Sequence, residues 1–394
     1  MPTRLPPLRL TGAKVLKGRE LQPRSLAFAE GVITRGPLPE VDLGGYWILP
    51  GIVDLHGDAF ERHVAPRAGV PFDLTTALAS TERDLAANGV TTAWLAQSFS
   101  WEGGHRGPDH AERVMAALDA WRAAAAVVDM RLQLRYETHL VDGAARLVEA
   151  VKRHRIDYVV FNDHLPDALE MWRRAPLRVE AWAAEAGRTG DEHMAIVHGA
   201  RAQAPRVPET LVTLAEAFDA LGVRYGSHDD ADAGTRERFH LLGARICEFP
   251  TTARAAATAK AQGDPVLMGA PNVARGGSQS GNVSAAELVA EGLCDALVSD
   301  YYYPALGAAA WALADRGIAD FVTAWRMIST VPAEIMGLAD RGRLKPGRRA
   351  DFVVMNPATR RIEATVAGGR LAFLSGEAGR RFMMAPQALR MAAE

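Results

Sequence analysis

The stretch WILPGIVDLHGDAFERHVAPRAGV, residues 47–70, decides how the rest of the chain is read. An apolar run ends on His56-Gly57-Asp58, and acid, base and arginine crowd the residues that follow. Residues i and i+2 of a strand point to one side, so His56 and Asp58 can face the same space where a buried strand stops. That arrangement suits a shared cation. A single His-x-Asp pair describes a surface turn equally well, so the other strands must decide.

Working outward, eight apolar runs of strand length alternate with helical stretches. They are GIVDLH (51–56), GVTTAWLAQ (89–97), MRLQLRYET (130–138), YVVFND (158–163), GVRYGSH (222–228), ARICEF (244–249), PVLMGA (265–270) and DALVSD (295–300). Continuous apolar strands between helices mark a parallel sheet covered on both faces. Eight such units in this length predict an α/β fold, a (β/α)8 barrel. Asp73 is expected to cap a helix over 74–88, and Ser284 with Glu287 to form a capping box before 285–293. The span from 165 to 221 exceeds one crossover and predicts an extra helical excursion. Short alternating runs at both ends are too few on either side for a sheet of their own, so the two ends are expected to pair into one small β-domain.

Composition narrows the function. Of 394 residues 48% are apolar and 23% charged, as in an ordinary soluble globular protein, and the net charge of −2 offers no field for nucleic acid or a membrane. No apolar run approaches a membrane span, and the first residues lack a signal-peptide core. Cys247 and Cys294 stand alone in apolar surroundings, which suits a reducing, cytoplasmic setting. Only five of the 45 basic residues are lysines, so an anion site must be built mainly from guanidinium forks. A homo-oligomer is compatible with these features.

Active sites of such barrels lie at the carboxyl ends of the strands. The eight runs end on His56 and Asp58; Gln97 and Ser98; Glu137 and His139; Asn162, Asp163 and His164; His228, Asp229 and Asp230; Glu248; Asn272; and Asp300. Carboxylates and imidazoles converging from so many strands are costly to bury unless something positive sits among them. His56, Asp58, Glu137, His228 and Asp300 are the candidate ligands of one or two divalent ions, with Glu137 placed to bridge and Asp300 to take a proton as catalytic base. Mixed imidazole and carboxylate ligation suits Zn²⁺, Mn²⁺, Fe²⁺ or Co²⁺. Glu248 reads either as a ligand or as a hydrogen-bond acceptor at the strand end, and His164 and His139 compete with their neighbours for the inward position. The other histidines, at 63, 105, 110, 154, 193, 198 and 240, read as solvated or structural.

A second signal is GAPNVARGGSQSGN, 269–282. Gly276, Gly277 and Gly281 would let backbone N–H groups form an anion nest beside Asn272, Arg275, Ser278 and Ser280. A mobile Gly-Ser loop is the bland alternative. Arg62 and Arg67 add guanidinium groups for a polyanion, and Tyr302 in DYYYP (300–304) would line a sugar pocket or pack the barrel rim.

YWILPGIVDLHGD near the start and GRLKPGRRADFVVMN near the end resemble the segments that frame the barrel in the amidohydrolase superfamily. That resemblance implies a composite β-sandwich from 1–50 and 341–394 around a catalytic barrel over 51–340. HGDAFERHVAPRAGV, LRYETH, GAPNVARGGSQSGN and LVSDYYYP resemble its PhnM branch, which hydrolyses α-D-ribose 1-methylphosphonate 5-triphosphate to the 5-phosphate and pyrophosphate in the carbon–phosphorus lyase pathway. The resemblance implies metal-activated hydroxide attacking the α-phosphorus of a phosphorylated sugar, with His56, Asp58, Glu137, His228 and Asp300 at the metals. The chain departs from the superfamily pattern twice. No lysine ends strand four, so a carbamylated lysine is not expected and Glu137 must serve; strand six ends on Glu248 instead of histidine. Members of the branch often carry histidine where this chain has Gln279, which implies that this position is not a strict requirement. Two rivals stand beside this reading: a deaminase or amidohydrolase acting on a cyclic amide or nucleobase, and a non-catalytic barrel serving as a scaffold in a phosphonate-processing assembly.

Overall fold

The structure is a computed structural model that describes residues 4–67, 70–278 and 281–391. Eight parallel strands form the central sheet: β1 (Ile52–Gly57), β2 (Val90–Phe99), β3 (Asp129–Glu137), β4 (Tyr158–Asn162), β5 (Arg224–His228), β6 (Ile246–Glu248), β7 (Val266–Gly269) and β8 (Ala296–Val298). They pair in strict chain order from β1 to β8. A parallel bridge between Gly57 and Asp300 closes the ring. At this seam the Asp300 amide donates to the His56 carbonyl (2.9 Å) and the Asp58 amide to the Asp300 carbonyl (3.0 Å). The result is the (β/α)8 barrel expected from the alternating runs.

Strand alternation divides the core. Leu132, Leu134 and Tyr136 of β3 and Val159 and Phe161 of β4 pack outward among the helices. Tyr158 and Val160 turn inward with Val53, Leu55, Trp94, Ile246, Leu267, Ala296 and Val298, and Ala333 and Met336 belong to the same apolar cluster. The barrel is therefore filled with side chains below its mouth. A register shift in β1 between Asp54 and Gly57 interrupts the alternation. Leu55 and His56, adjacent in sequence, both reach the interior, a placement that simple i, i+2 reasoning does not produce.

Asp73 caps the 74–87 helix, its carboxylate accepting from the Thr75 and Thr76 amides. Ser284 accepts from the Glu287 amide at the start of Ala285–Ala290. Between β4 and β5 lie four helices, Leu165–Arg174, Pro176–Glu185, Gly190–Ala202 and Val207–Leu221. Val179, Met194 and Val197 give this excursion its own small core with Trp101 and Leu165. Outside the barrel, a six-stranded sheet joins 14–17, 20–23 and 47–50 to 352–356, 361–367 and 370–374, beside a four-stranded sheet from residues 8–42. Leu10, Phe28 and Ile48 from the first part of the chain share a core with Phe352, Val354 and Val366 from the last. No helix among the described residues is long and apolar enough to cross a membrane.

Gly226 sets the spacing of β5 and β6. A Cβ there would stand 2.3 Å from the Ile246 carbonyl oxygen, and that backbone cannot yield without parting the strands. The same register pairs His228 with Glu248. Gly226→Ala is expected to cost about 1–3 kcal/mol, the usual range for overpacking. A denaturant-unfolding midpoint equal to that of the parent chain would contradict this.

Candidate active site

Three groups of potential metal donors gather at the carboxyl mouth. They are His56, His228 and Glu248; His56, Asp58 and Asp300; and Glu102, Glu137 and His164, each with one donor atom per residue within 4.8 Å of the others. The first two share His56. The barrel seam brings the second together, because the backbone bonds that close the ring join Asp300 to His56 and Asp58.

Not all these donors are available. Both Glu248 oxygens are committed: Oε2 to His56 Nδ1 at 2.8 Å, Oε1 to Gln133 Nε2 at 2.6 Å and the Tyr158 hydroxyl at 2.5 Å. Of the two roles read for Glu248, the geometry favours the acceptor. A histidine that binds a metal through one nitrogen commonly gives the other to a carboxylate, which fixes the ring and its tautomer. His56 therefore keeps Nε2 for a ligand. The His228 ring lies 5.4 Å from that of His56 and tilted by 38°, and Phe249 packs edge-on against both rings. Burial holds the His228 pKa down, which favours the neutral imidazole a metal requires. Its Nδ1 lies 2.9 Å from Asp229 Oδ2 without a hydrogen-bonding alignment.

Burial, and then the nearby Asp58 carboxylate, push the Asp300 pKa up to about 6. Two crowded carboxylates with an imidazole are the donor chemistry of a divalent-ion site, so the residues present fit a divalent metal.

The third group is already neutralised. His164 Nδ1 sits 2.8 Å from Glu137 Oε1 and 3.5 Å from Glu102 Oε1. Arg106 and the Trp182 indole occupy Glu102 Oε2, at 2.8 and 3.0 Å. Against the upward push of burial, His164 and Arg106 hold Glu102 down to about 2. Against the downward push of burial, Glu102 and Glu137 lift His164 to about 9. Glu137 thus stands with His164 and Glu102, apart from the two groups built on His56.

One cavity of about 220 Å³ joins the second donor group to the loop after β7. His56, Asp58, His228 and Asp300 line it, as do Asn272, Arg275, Gly277 and Ser278. Residues 270–275 are a short helix and not the open loop the sequence suggested; Gly276 ends it at φ +88°. The Asn272 amide is spent locally, accepting from the Ala285 amide at 3.0 Å and donating to the Val283 carbonyl at 3.4 Å. Arg62, Arg67, Gly276 and Tyr302 are not among the lining residues. Arg62 lies 6.0 Å from the Tyr302 ring, while the adjacent Tyr301 lines the cavity and accepts from Arg275 at 3.2 Å. Gln279 and Ser280 fall outside the described residues. His139 is 3.4 Å from Asp163, and His63, His154 and His240 are each held by an aspartate. Asp230 is fully buried on Arg236 and Ser227.

Strand-end reading missed Arg135, Glu102 and Asp54. Arg135 lines the cavity 3.8 Å from Asp58 Oδ2. Its signal was the alternation of Gln133, Arg135 and Glu137 with Leu132, Leu134 and Tyr136. Asp54 sits inside an apolar run and braces the seam, accepting from the Ser299 amide (2.9 Å) and hydroxyl (2.5 Å).

No family model matches the chain. The alpha-D-ribose 1-methylphosphonate 5-triphosphate diphosphatase of Escherichia coli (strain K12) is 33% identical over 339 residues, 83% of this chain and 87% of that protein. Among solved structures, an amidohydrolase aligns at TM-score 0.63 and 14% identity, over 94% of this chain and 100% of its own. Dihydropyrimidinase from Brevibacillus agri NCHU1002 aligns at 0.60 and 13%, over 95% and 97%. The beta-aspartyl dipeptidase of Fervidobacterium islandicum AW-1 aligns at 0.61 and 12%, over 94% and 98%. At such identities these three speak for the fold alone. The sequence relative speaks for the family: the chain belongs to the PhnM diphosphatases, on an amidohydrolase-type barrel.

Proposed function

We propose that this chain hydrolyses α-D-ribose 1-methylphosphonate 5-triphosphate to the 5-phosphate and pyrophosphate, as its Escherichia coli relative is named for doing. One observation carries the reading: a single cavity holds both the His56, Asp58 and Asp300 donors and the Arg275, Gly277 and Ser278 loop. A neutral cyclic amide has no use for the second half of that cavity.

His56, Asp58 and Asp300 would hold one divalent ion, with His228 beside them. Zn²⁺, Mn²⁺, Fe²⁺ and Co²⁺ all suit such a set. Bound there, the ion would lower the pKa of water from about 15.7 to near 7 and so provide a nucleophile at neutral pH. Asp300 accepts the proton from the attacking water. Glu248 keeps the His56 ring from turning. The Gly276 and Gly277 amides are spent on the Val273 and Asn272 carbonyls at the end of the 270–275 helix, so they form no backbone nest and Arg275 is the group that holds the departing pyrophosphate, since positioning and charge stabilisation do most of the work in phosphoryl transfer.

The direct test is ³¹P NMR of the purified chain with divalent metal and the triphosphate. Intact pyrophosphate is expected; orthophosphate, or no turnover, would overturn the reading. Arg275→Ala should raise KM for the triphosphate roughly 10- to 100-fold, the loss of a charge-assisted hydrogen bond. A KM within twofold of the parent would remove Arg275 from the phosphate site. Metal affinity should depend on pH in a defined direction. Burial raises Asp300 to about 6, and against the downward push of burial Glu248 lifts His56 above its ordinary value, so protons compete with the ion at both groups and affinity rises with pH through 6 and beyond. Calorimetric titration with Mn²⁺ from pH 5 to 8 measures this, and a Kd that does not change across pH 6 would refute it.

A further inference from the structure

Arg135 is a cation placed where a site built only for a metal would least want one. It stands two residues before the carboxyl end of β3 and lines the cavity with His56, Asp58, His228, Asp229 and Asp300. Its side chain is 14% exposed, and its contact with Asp58, at 3.8 Å, is an ion pair beyond hydrogen-bond reach. Its Nε is buried with no hydrogen-bond partner among the described residues. A guanidinium does not deprotonate in a protein, so this is a fixed charge with unused, directed donors. The packing of β3 does not require it, because the outward face of the strand carries Leu132, Leu134 and Tyr136.

Position supplies the rest. In a ring of eight strands paired in chain order, β3 and the segment after β7 stand on opposite sides. Arg275 approaches the cavity from the β7 side and Arg135 from the β3 side, with the His56, Asp58 and Asp300 donors sharing that cavity. A planar fork of N–H donors matches phosphoryl oxygens. We propose that Arg135 is a catalytic residue that binds the phosphoryl group under attack, across the cavity from Arg275, and acts as a permanent second positive charge beside a single divalent ion. This rests on the phosphate-ester reading given above.

Inorganic pyrophosphate is the probe. In the metal-free chain, Arg135→Met is expected to weaken pyrophosphate binding at least tenfold by calorimetry, while the Mn²⁺ bound per chain stays at the parent's single equivalent. With metal and the triphosphate, the loss should fall mainly on kcat, by about 10²- to 10³-fold, as when a transition-state donor is removed. Unchanged pyrophosphate affinity, a second Mn²⁺ equivalent in the parent chain, or a variant that loses its metal would each overturn the proposal. Should Arg135→Met fail to fold, the parent chain still decides. Its Arg135 Nε–Hε resonance, assigned by its absence in Arg135→Lys, should shift on adding pyrophosphate, and a resonance that does not move refutes the contact. If the parent chain releases no pyrophosphate from the triphosphate, the functional reading fails, while these binding measurements still test Arg135.

Discussion

The seam between the first and last barrel strands is the constraint from which the site follows. Two backbone hydrogen bonds, Asp300 amide to His56 carbonyl and Asp58 amide to Asp300 carbonyl, close the ring. The same three residues form one of the donor groups. Closing the barrel and assembling the donors are therefore one event, although 242 residues separate Asp58 from Asp300 in sequence. Asp54 and Ser299 reinforce the join from within the strands, and burial raises the Asp54 carboxyl to about 6. A neutral or half-charged acid can be buried there at smaller cost than a full carboxylate.

Strain concentrates at the same mouth. Asp229, Phe249 and Asp300, each just past a barrel strand, take left-handed backbone conformations with φ of +59°, +50° and +54°. Non-glycine residues adopt that region at a cost of roughly 1–2 kcal/mol, and such costs persist where the surroundings over-determine the geometry. Here the left-handed step at Asp300 accompanies the seam bonds, and at Phe249 it accompanies a ring set against both His56 and His228. The turn after β8 also explains why Tyr301, and not Tyr302, lines the cavity.

The barrel was legible because its signal is local. Each strand is an apolar run, and the polar residues at its end need no knowledge of a partner to be noticed; His56, Asp58, His228 and Asp300 were found that way. What escaped depends on contacts between distant segments. Glu102 lies beyond β2 and acquires meaning only when His164 arrives from β4. Arg135 hides within a strand whose inner face is polar, a pattern that looks like ordinary amphipathic alternation until the strand is known to be inside a barrel. The short helix 270–275 was hidden by the glycines that follow it, and nothing local shows that the Asn272 side chain, read as substrate-binding, also braces Ala285 and Val283. Glu248 could not be decided from sequence, since its partners Gln133 and Tyr158 come from two other strands.

The two halves of the mouth differ in how their charge is balanced, and that difference separates structure from chemistry. On one side Glu102 is held near 2 and His164 near 9, an internally neutral arrangement with Arg106 that asks for nothing further. On the other, burial and then Asp58 raise Asp300 to about 6, although Arg135 lies close enough to pull it down. A buried carboxyl crowded by a second one resists ionisation even beside a guanidinium. A divalent ion held by these donors would offset that crowding, and the Arg135 guanidinium, 3.8 Å from Asp58 and beyond hydrogen-bond reach of it, would be left to meet an anion. A barrel of this kind does not by itself select a substrate. The selection lies in which cations face the cavity beside the metal donors, and in this chain the fold brings Arg135 and Arg275 to it from opposite walls.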